Sequence, residues 1–278
     1  MGIPGLGRSP GEEDSYVRYY KNLEIKGYSK QHAYQVQGEL LESPCTSVLH
    51  GYIHLPDLKR ICKAHHVSIT KYLTALLIWC LYREYVREGI TQKPISINVP
   101  INLRNFFESE TTRNFFAVSM IEFLPKHQNY TFEEVLASVS EEMDQKITKE
   151  KMQETISYNV SNEKKWLLRC TPLALKYLGM QWVYRQSNKA TTTTLSNLGQ
   201  IKVLDEFKED ITRFHFFIGV SKKQKLKCSV CTYEDELVMS FSSVLKVPYI
   251  QRAFFRELAQ QGVGVKIESN GVANEKMC

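Results

Sequence analysis

Residues 69–86 read ITKYLTALLIWCLYREYV. Wound at 3.6 residues per turn, this segment is apolar almost all round, so the helix has to be enclosed. Its mainly apolar part, Tyr72 to Tyr82, is too short to cross a bilayer, which takes roughly 20 residues. The chain must therefore wrap this helix in layers of its own. At 278 residues, with 43% hydrophobic and 13 Phe, 15 Tyr and 3 Trp, it has the material to do so. Charged residues at 24% fit a globular chain and exclude disordered, collagen-like and coiled-coil classes. Ser68 is placed to cap the helix, which should run to about Arg87.

The flanking sequence supplies those layers. Ser47 to Ile53 reads as a strand, and Leu55, Leu58, Ile61 and Cys62 follow at helical spacing. From Pro94 to Asn102 the alternation is strict: Ile95, Ile97, Val99 and Ile101 on one face, Ser96, Asn98, Pro100 and Asn102 on the other. A strand is expected at Phe115 to Leu124. Thr131-Phe-Glu-Glu134 is a capping box, opening a helix with Phe132, Val135, Leu136, Val139 and Met143 on its apolar side. A helix is predicted from Pro172 to about Tyr184, and strands at Thr191 to Leu198 and Phe214 to Val220. Leu226 to Tyr233 and Glu236 to Leu245 form a hairpin turning at Glu234-Asp235. Pro248 starts a last helix ending near Gly262. The fold class expected is α/β, an α+β sandwich with a mixed sheet covered by helices. One domain should span residues 46–270, after a linker or arm at 1–45 and before a tail at 271–278.

Charge and cysteine content narrow the function. With 36 Lys+Arg against 30 Asp+Glu, the net charge of +6 fits an anionic small ligand and excludes nucleic acid as the partner. No membrane span is expected. The N-terminus lacks an apolar signal core, Leu6 stands where a myristoylation motif at Gly2 needs Ser or Thr, and Cys278 lacks a prenylation box. The expectation is a cytoplasmic protein with reduced thiols. Cys228-x-x-Cys231 stands alone, its members on opposite faces of a strand, so no metal site is expected. The sequons at Asn129 and Asn159 carry no weight without a secretory signal.

There is no nucleophile elbow, P-loop or dinucleotide fingerprint. His65-His66 ends a helix, where the helix dipole alone favours histidine; the expectation is that His65 packs and His66 faces solvent. Lys222, Lys223, Lys225 and Lys227 read first as a solvated loop and strand edge, and otherwise as attraction for a phosphate-bearing ligand. Two segments ask for more. In ISINVPINLRNFFESETTRNFFAVS, Asn98, Asn102 and Arg104 lie on or beyond a polar strand face, and such groups need partners when buried. They line a crevice or form a structural salt bridge. TTTTLSNLG, from Thr191 to Gly199, either faces a polar ligand channel or is an edge strand.

Taken in order, LHGYIHLPDLKRICKAHHVSITKYLTALLIWCLYREY, INVPINLRNFFESETTRNFF, TTTLSNLGQIKV, FHFFIGVSKKQKLKCSV and ELVMSFSSVLKVPYIQRAFFRELAQQGVGVKIE resemble the acyltransferase superfamily of chloramphenicol acetyltransferase, the condensation domains and the bacterial alcohol acetyltransferases. The likeness runs from about residue 14 to 269 and is nearest the alcohol acetyltransferase-like branch. It implies a chloramphenicol acetyltransferase-like subdomain and transfer of an acyl group from a thioester, commonly of coenzyme A, to an alcohol or amine. In such enzymes a histidine of an HHxxxDG motif is the general base. That motif belongs to the N-terminal subdomain and is not in this sequence: His65-His66 is followed by Thr70 and Lys71 where Asp and Gly are required.

The resemblance therefore implies the C-terminal half of an acyltransferase, with no catalytic residue in the chain. Asp14 to Tyr20 resembles the stretch that follows the motif. Ser196 and Asn197 match the strand bordering the tunnel, where donors stabilise an oxyanion, and Asn98 and Asn102 would line the same crevice. Arg104 matches the arginine that pairs with the motif aspartate. Lys222 and Lys223 would meet coenzyme A phosphates. No resident cofactor is expected; acetyl-CoA or another acyl-CoA would be co-substrate, beside a small alcohol or amine. A separate N-terminal half or self-association would complete the fold. The rival expectation is a non-catalytic domain that binds a ligand or partner.

Overall fold

The computed structural model describes residues 14–23, 31–86, 93–164 and 171–272. Gly2, Leu6 and Cys278 lie outside them, as do parts of the expected arm and tail. The chain divides into two compact units.

The larger unit holds Lys30–Val99, Met120–Met143 and Gln186–Cys278. Its strands are β1 (Ser47–His54), most of β2 (Ile95–Asn102), the end of β3 (Phe116–Phe123), β4 (Thr193–Gln200), β5 (Leu226–Tyr233), β6 (Glu236–Ser243) and β7 (Val265–Ser269). They form a seven-stranded sheet in the order β3-β2-β4-β5-β6-β1-β7. The sheet is mixed: β4 runs parallel to β2 and β5, whereas β6 is antiparallel to β5 and β1, and β7 to β1.

Register assigns each face. Leu195, Cys228, Phe241 and Leu49 stand opposite one another across four strands, as do Val230, Met239 and Gly51. This face is the core, covered by α2 (Leu55–Ala64), α3 (Ile69–Leu81) and a C-terminal helix, Tyr249–Gln260. Phe241 meets Phe254 and Phe255 of that last helix edge-on at 5.3 and 5.6 Å. The apolar α3 is the centre of the covering layer. Leu73, Leu76, Leu77, Ile78 and Leu81 are fully buried, each adding about 1.5–3 kcal/mol. Ser68 Oγ accepts from the Lys71 N–H at 3.3 Å, capping α3 as expected, and after Leu81 the helix loosens into one π turn, Tyr82–Val86.

The capping box is present: Thr131 N–H donates to Glu134 Oε2 at 2.7 Å and Glu134 N–H to Thr131 Oγ1 at 3.2 Å. It opens α4 (Phe132–Lys146), whose Phe132, Val135, Leu136, Val139 and Met143 are buried as predicted. The hairpin turns at Glu234-Asp235, with Glu234 at φ 48°.

Three expectations are corrected. Of the two readings of Thr191 to Gly199, the edge strand falls, since β4 lies between β2 and β5. Phe214 to Val220 is not a strand; Phe214 and Phe216 offer carbonyls to the side chains of Cys231 (3.3 Å) and Ser229 (2.7 Å) rather than joining a backbone ladder. Not every thiol is reduced: Cys62, Cys80, Cys228 and Cys231 are free and buried, but Cys45 is disulfide-bonded.

The smaller unit holds Met1–Ser29, Pro100–Ser119 and Asp144–Arg185. Its core is Leu103, Phe107, Phe115, Ala117, Met152, Ile156 and Val160, joined by Tyr16, Tyr19 and Tyr20. Asp14 caps α1 (Ser15–Arg18) by accepting from the N–H groups of Tyr16 and Val17. Met152, Ile156 and Val160 are one stripe of α5 (Lys149–Lys164), a helix the sequence reading missed because the rest of it is polar. α6 (Leu173–Lys189) confirms the helix predicted from Pro172 and extends it by about a turn. Eight of its large apolar residues stand in solvent, Leu173 at 78% and Trp182 at 63% exposure.

Candidate functional site

The second face of the sheet carries polar rows beside a small apolar cluster of Tyr52, Cys231 and Val238. Because residues paired across strands point the same way, the register aligns Ser196, Ser229, Ser240, His50 and Glu268 in one row across β4, β5, β6, β1 and β7. Two residues earlier on the same face, Asn98 stands opposite Thr194 and Lys227 opposite Ser242. Ser229, Ser240 and Ser242 are buried; Asn98, Thr194 and Ser196 are half-buried.

Of the residues singled out in the sequence, Asn98 and Ser196 come together here. Asn98 stands opposite Thr194 in the parallel pair, and Ser196 is two residues further along the same face. Among the described residues neither side chain makes a hydrogen bond, so both are free to serve a ligand. Asn197 does not share this face, since neighbours in a strand alternate. Its Nδ2 donates to Thr70 Oγ1 on α3 at 3.0 Å and its Oδ1 accepts from Gly199 N–H at 2.8 Å. Gly199 sits at φ 76°, which glycine adopts without strain, and the strand bulges between Asn197 and Gln200. The SNLG turn is thus a structural anchor on one side of the strand and a hydroxyl on the other. Lys222 and Lys223 are exposed in the loop before β5 and pair with no carboxylate among the described residues.

Asn102 and Arg104 belong to the smaller unit. Asn102 is exposed and accepts from Arg104 N–H at 3.1 Å, capping a short 3-10 turn, Leu103–Asn105. The Arg104 guanidinium is exposed and makes no salt bridge among the described residues; Nη2 donates to the carbonyls of Thr111 (2.7 Å) and Arg113 (2.9 Å). His65 and His66 fall as expected. His65 ends α2 against Tyr72 and Phe132, and His66 is exposed at φ 56°.

A cluster unforeseen in the sequence closes the row. His50 Nδ1 and Ser240 Oγ are 2.7 Å apart. Tyr52 donates its hydroxyl to Glu268 Oε2 at 2.7 Å and lies 3.0 Å from His215 Nε2. The His50 and His215 rings are 4.5 Å apart. Burial, then His215, push the His50 pKa down, while Glu268 pulls it back up. The Tyr52 and Lys266 hydrogen bonds hold Glu268 below the usual carboxylate range. Arg213 lies 3.8 Å above the Tyr52 ring and grips Glu236 with Nε and Nη2 at 2.5 and 2.8 Å. A cleft of ≈ 580 Å³ opens beside them, lined by Tyr52, Arg213, Tyr233, Glu236 and Lys266. The alternation LHGYIH in β1, which puts His50 and Tyr52 on one face, was the available signal.

Comparison with known proteins fits this architecture. A family model described as Alcohol acetyltransferase matches residues 20–258. No curated protein sequence matches. Among solved structures, F. sporotrichioides TRI101 complexed with coenzyme A and T-2 superposes with a TM-score of 0.53 at 11% identity, over 90% of this chain and 56% of that one. The nonribosomal peptide synthetase FmoA3 gives 0.51 at 14%, over 88% and 23%. Polyketide synthase associated protein 5 from Mycobacterium tuberculosis gives 0.50 at 12%, over 83% and 53%. These identities establish a shared fold, and the chain spans about half the length of two of these structures and about a quarter of the third. With the family model covering most of its length, the chain belongs to the alcohol acetyltransferase family.

Proposed function

We propose that the chain is the C-terminal part of an acyl-CoA-dependent O-acyltransferase, supplying binding and transition-state groups while the general base comes from further sequence or a separate chain. The observation that carries the reading is the pair Asn98 and Ser196. They are donors on one polar sheet face, half-buried and committed to no protein partner among the described residues. In acyl transfer from a thioester, negative charge gathers on the carbonyl oxygen. An amide and a hydroxyl fixed on a rigid sheet stabilise that charge without reorganising. The acceptor is a small alcohol or amine, the acyl donor acetyl-CoA or another acyl-CoA, and no resident cofactor or metal takes part. Lys222 and Lys223 serve the coenzyme A phosphates as exposed point charges. Residues 46–270 act as the functional unit, in the cytoplasm.

The partner follows from α6. A helix of Leu, Tyr, Met, Trp and Val exposed on every side is unsuited to water. Because the chain spans about half of two structures that share its fold, further chain of the same fold is the occupant that suits α6; without it, self-association should follow. A non-catalytic binding domain is the second reading. It is favoured by His65 and His66, which sit at a helix end away from the polar rows.

Amide exchange with and without coenzyme A tests the binding. Protection should appear around residues 96–98, 194–197 and 221–225, and weaken in the Lys222→Glu/Lys223→Glu variant. Identical exchange with and without coenzyme A would rule out an acyl-CoA site on this chain.

A further inference from the structure

Residues 213–217 cross this second face of the sheet between the short 3-10 turn Asp205–Phe207 and the loop that carries Lys222 and Lys223. They are held by few bonds. Arg213 grips Glu236, His215 meets Tyr52, and the carbonyls of Phe214 and Phe216 accept from Cys231 and Ser229. Phe214 and Phe216 pack on Tyr52, Cys231 and Val238. Beneath them lie Ser229 and Cys231, both 1% exposed. Among the described residues no backbone ladder locks this segment to the sheet, so each of its bonds needs a side chain; one of those side chains is the imidazole of His215, and the ring of His50 lies beside it.

The hydrogen bonds fix one proton. The single hydroxyl proton of Tyr52 goes to Glu268, so the Tyr52 oxygen can only accept from His215, and Nε2 of His215 carries a hydrogen. The ring of His50, on β1, faces that of His215 at 4.5 Å. The charged groups around them are Arg213 on the segment, Lys266 and Glu268 on β7, and Glu236 on β6. With both imidazoles protonated, four cations (His50, His215, Arg213, Lys266) crowd against two carboxylates (Glu236, Glu268). His50 is half-buried and His215 exposed, and like charges at this spacing still repel one another at a protein surface.

We propose that residues 213–217 form a strap whose hold on the sheet is released by acid, through His50 and His215 facing one another beside the Tyr52–Glu268 pair. The lowered pKa of His50 agrees in sign: the open state takes up a proton near the ordinary imidazole range, so closure is favoured above it and lost as pH falls. Opening would bare Ser229 and Ser240 in the row that begins at Ser196. The inference rests on the cluster geometry alone and stands whether or not the chain transfers acyl groups.

Cys231 reports on the strap because its thiol lies beneath it. Alkylation of Cys231 in the native chain, read by peptide mass spectrometry, is divided by its rate in the unfolded chain at the same pH. That ratio cancels the thiolate fraction. Between pH 7.5 and 5.5 it should rise about three- to tenfold in the wild type, tenfold being roughly the ceiling for one imidazole. It should stay flat in His50→Gln and in His215→Gln, either of which removes the pair, so one folded variant suffices. A flat wild type, or a rise of the same size in the variants, would overturn the proposal.

Discussion

Asn197 Nδ2 and Thr70 Oγ1 lie 3.0 Å apart, tying the strand that carries Ser196 to the first turn of the buried helix α3. The same amide caps the Gly199 N–H. One residue thus fixes the height of β4 on the sheet and the turn that ends it, which is how the packing of α3 reaches the polar face.

Replacing Asn197 by Ala removes both bonds. Two neutral hydrogen bonds are worth about 1–3 kcal/mol together, so urea unfolding should show a loss of that size. Thr70→Val should lose about half as much, since only one bond is broken.

Gly51 faces the ring of Phe255, and a Cβ there would fall inside the ring's van der Waals shell. Gly51→Ala should destabilise the chain by about 1–3 kcal/mol through overpacking. Adding Phe255→Leu should recover part of that. A double variant that loses as much stability as the two singles together, or more, would show that the clash is elsewhere.

Burial pushes the Cys62 thiol up to about 12 and the Cys80 and Cys228 thiols well above their ordinary value. Because the thiolate is the nucleophile, none of the three should react with a disulfide reagent in the native chain at about pH 8. All should react on unfolding. Peptide mapping after labelling checks each.

The α6 surface predicts association. The chain alone should sediment as a concentration-dependent oligomer, and Leu178→Ser/Trp182→Ser should shift it toward monomer without lowering thermal stability, because both side chains are exposed. An unchanged sedimentation profile would place the contact elsewhere.

Much of the fold was legible. The strict alternation of Ile95 to Asn102, the all-apolar helix after Ser68 and the Thr131–Glu134 box each have a local physical cause, and each fell where the sequence placed it. Phe214 to Val220 failed because alternation records burial, not pairing. Phe214 and Phe216 do pack on the sheet, yet their carbonyls meet side chains. α5 was missed because three apolar residues in sixteen give little periodicity; they become a core only beside Phe107 and Phe115. In the candidate site, Asn98 and Ser196 were readable as polar residues on strands. The His50–Tyr52–His215–Glu268 cluster was not, because His50 and Glu268 meet only through the β1–β7 register, and His215 reaches them from an irregular segment.

The central proposal is that this chain supplies binding and oxyanion groups while the general base for acyl transfer comes from elsewhere. Thiol release from acetyl-CoA, followed with short alcohols as acceptors and the purified 278-residue chain as the only protein, tests it directly. The account predicts coenzyme A binding without turnover above the uncatalysed rate. Turnover by the chain alone, abolished by replacing one of its own histidines, would contradict it.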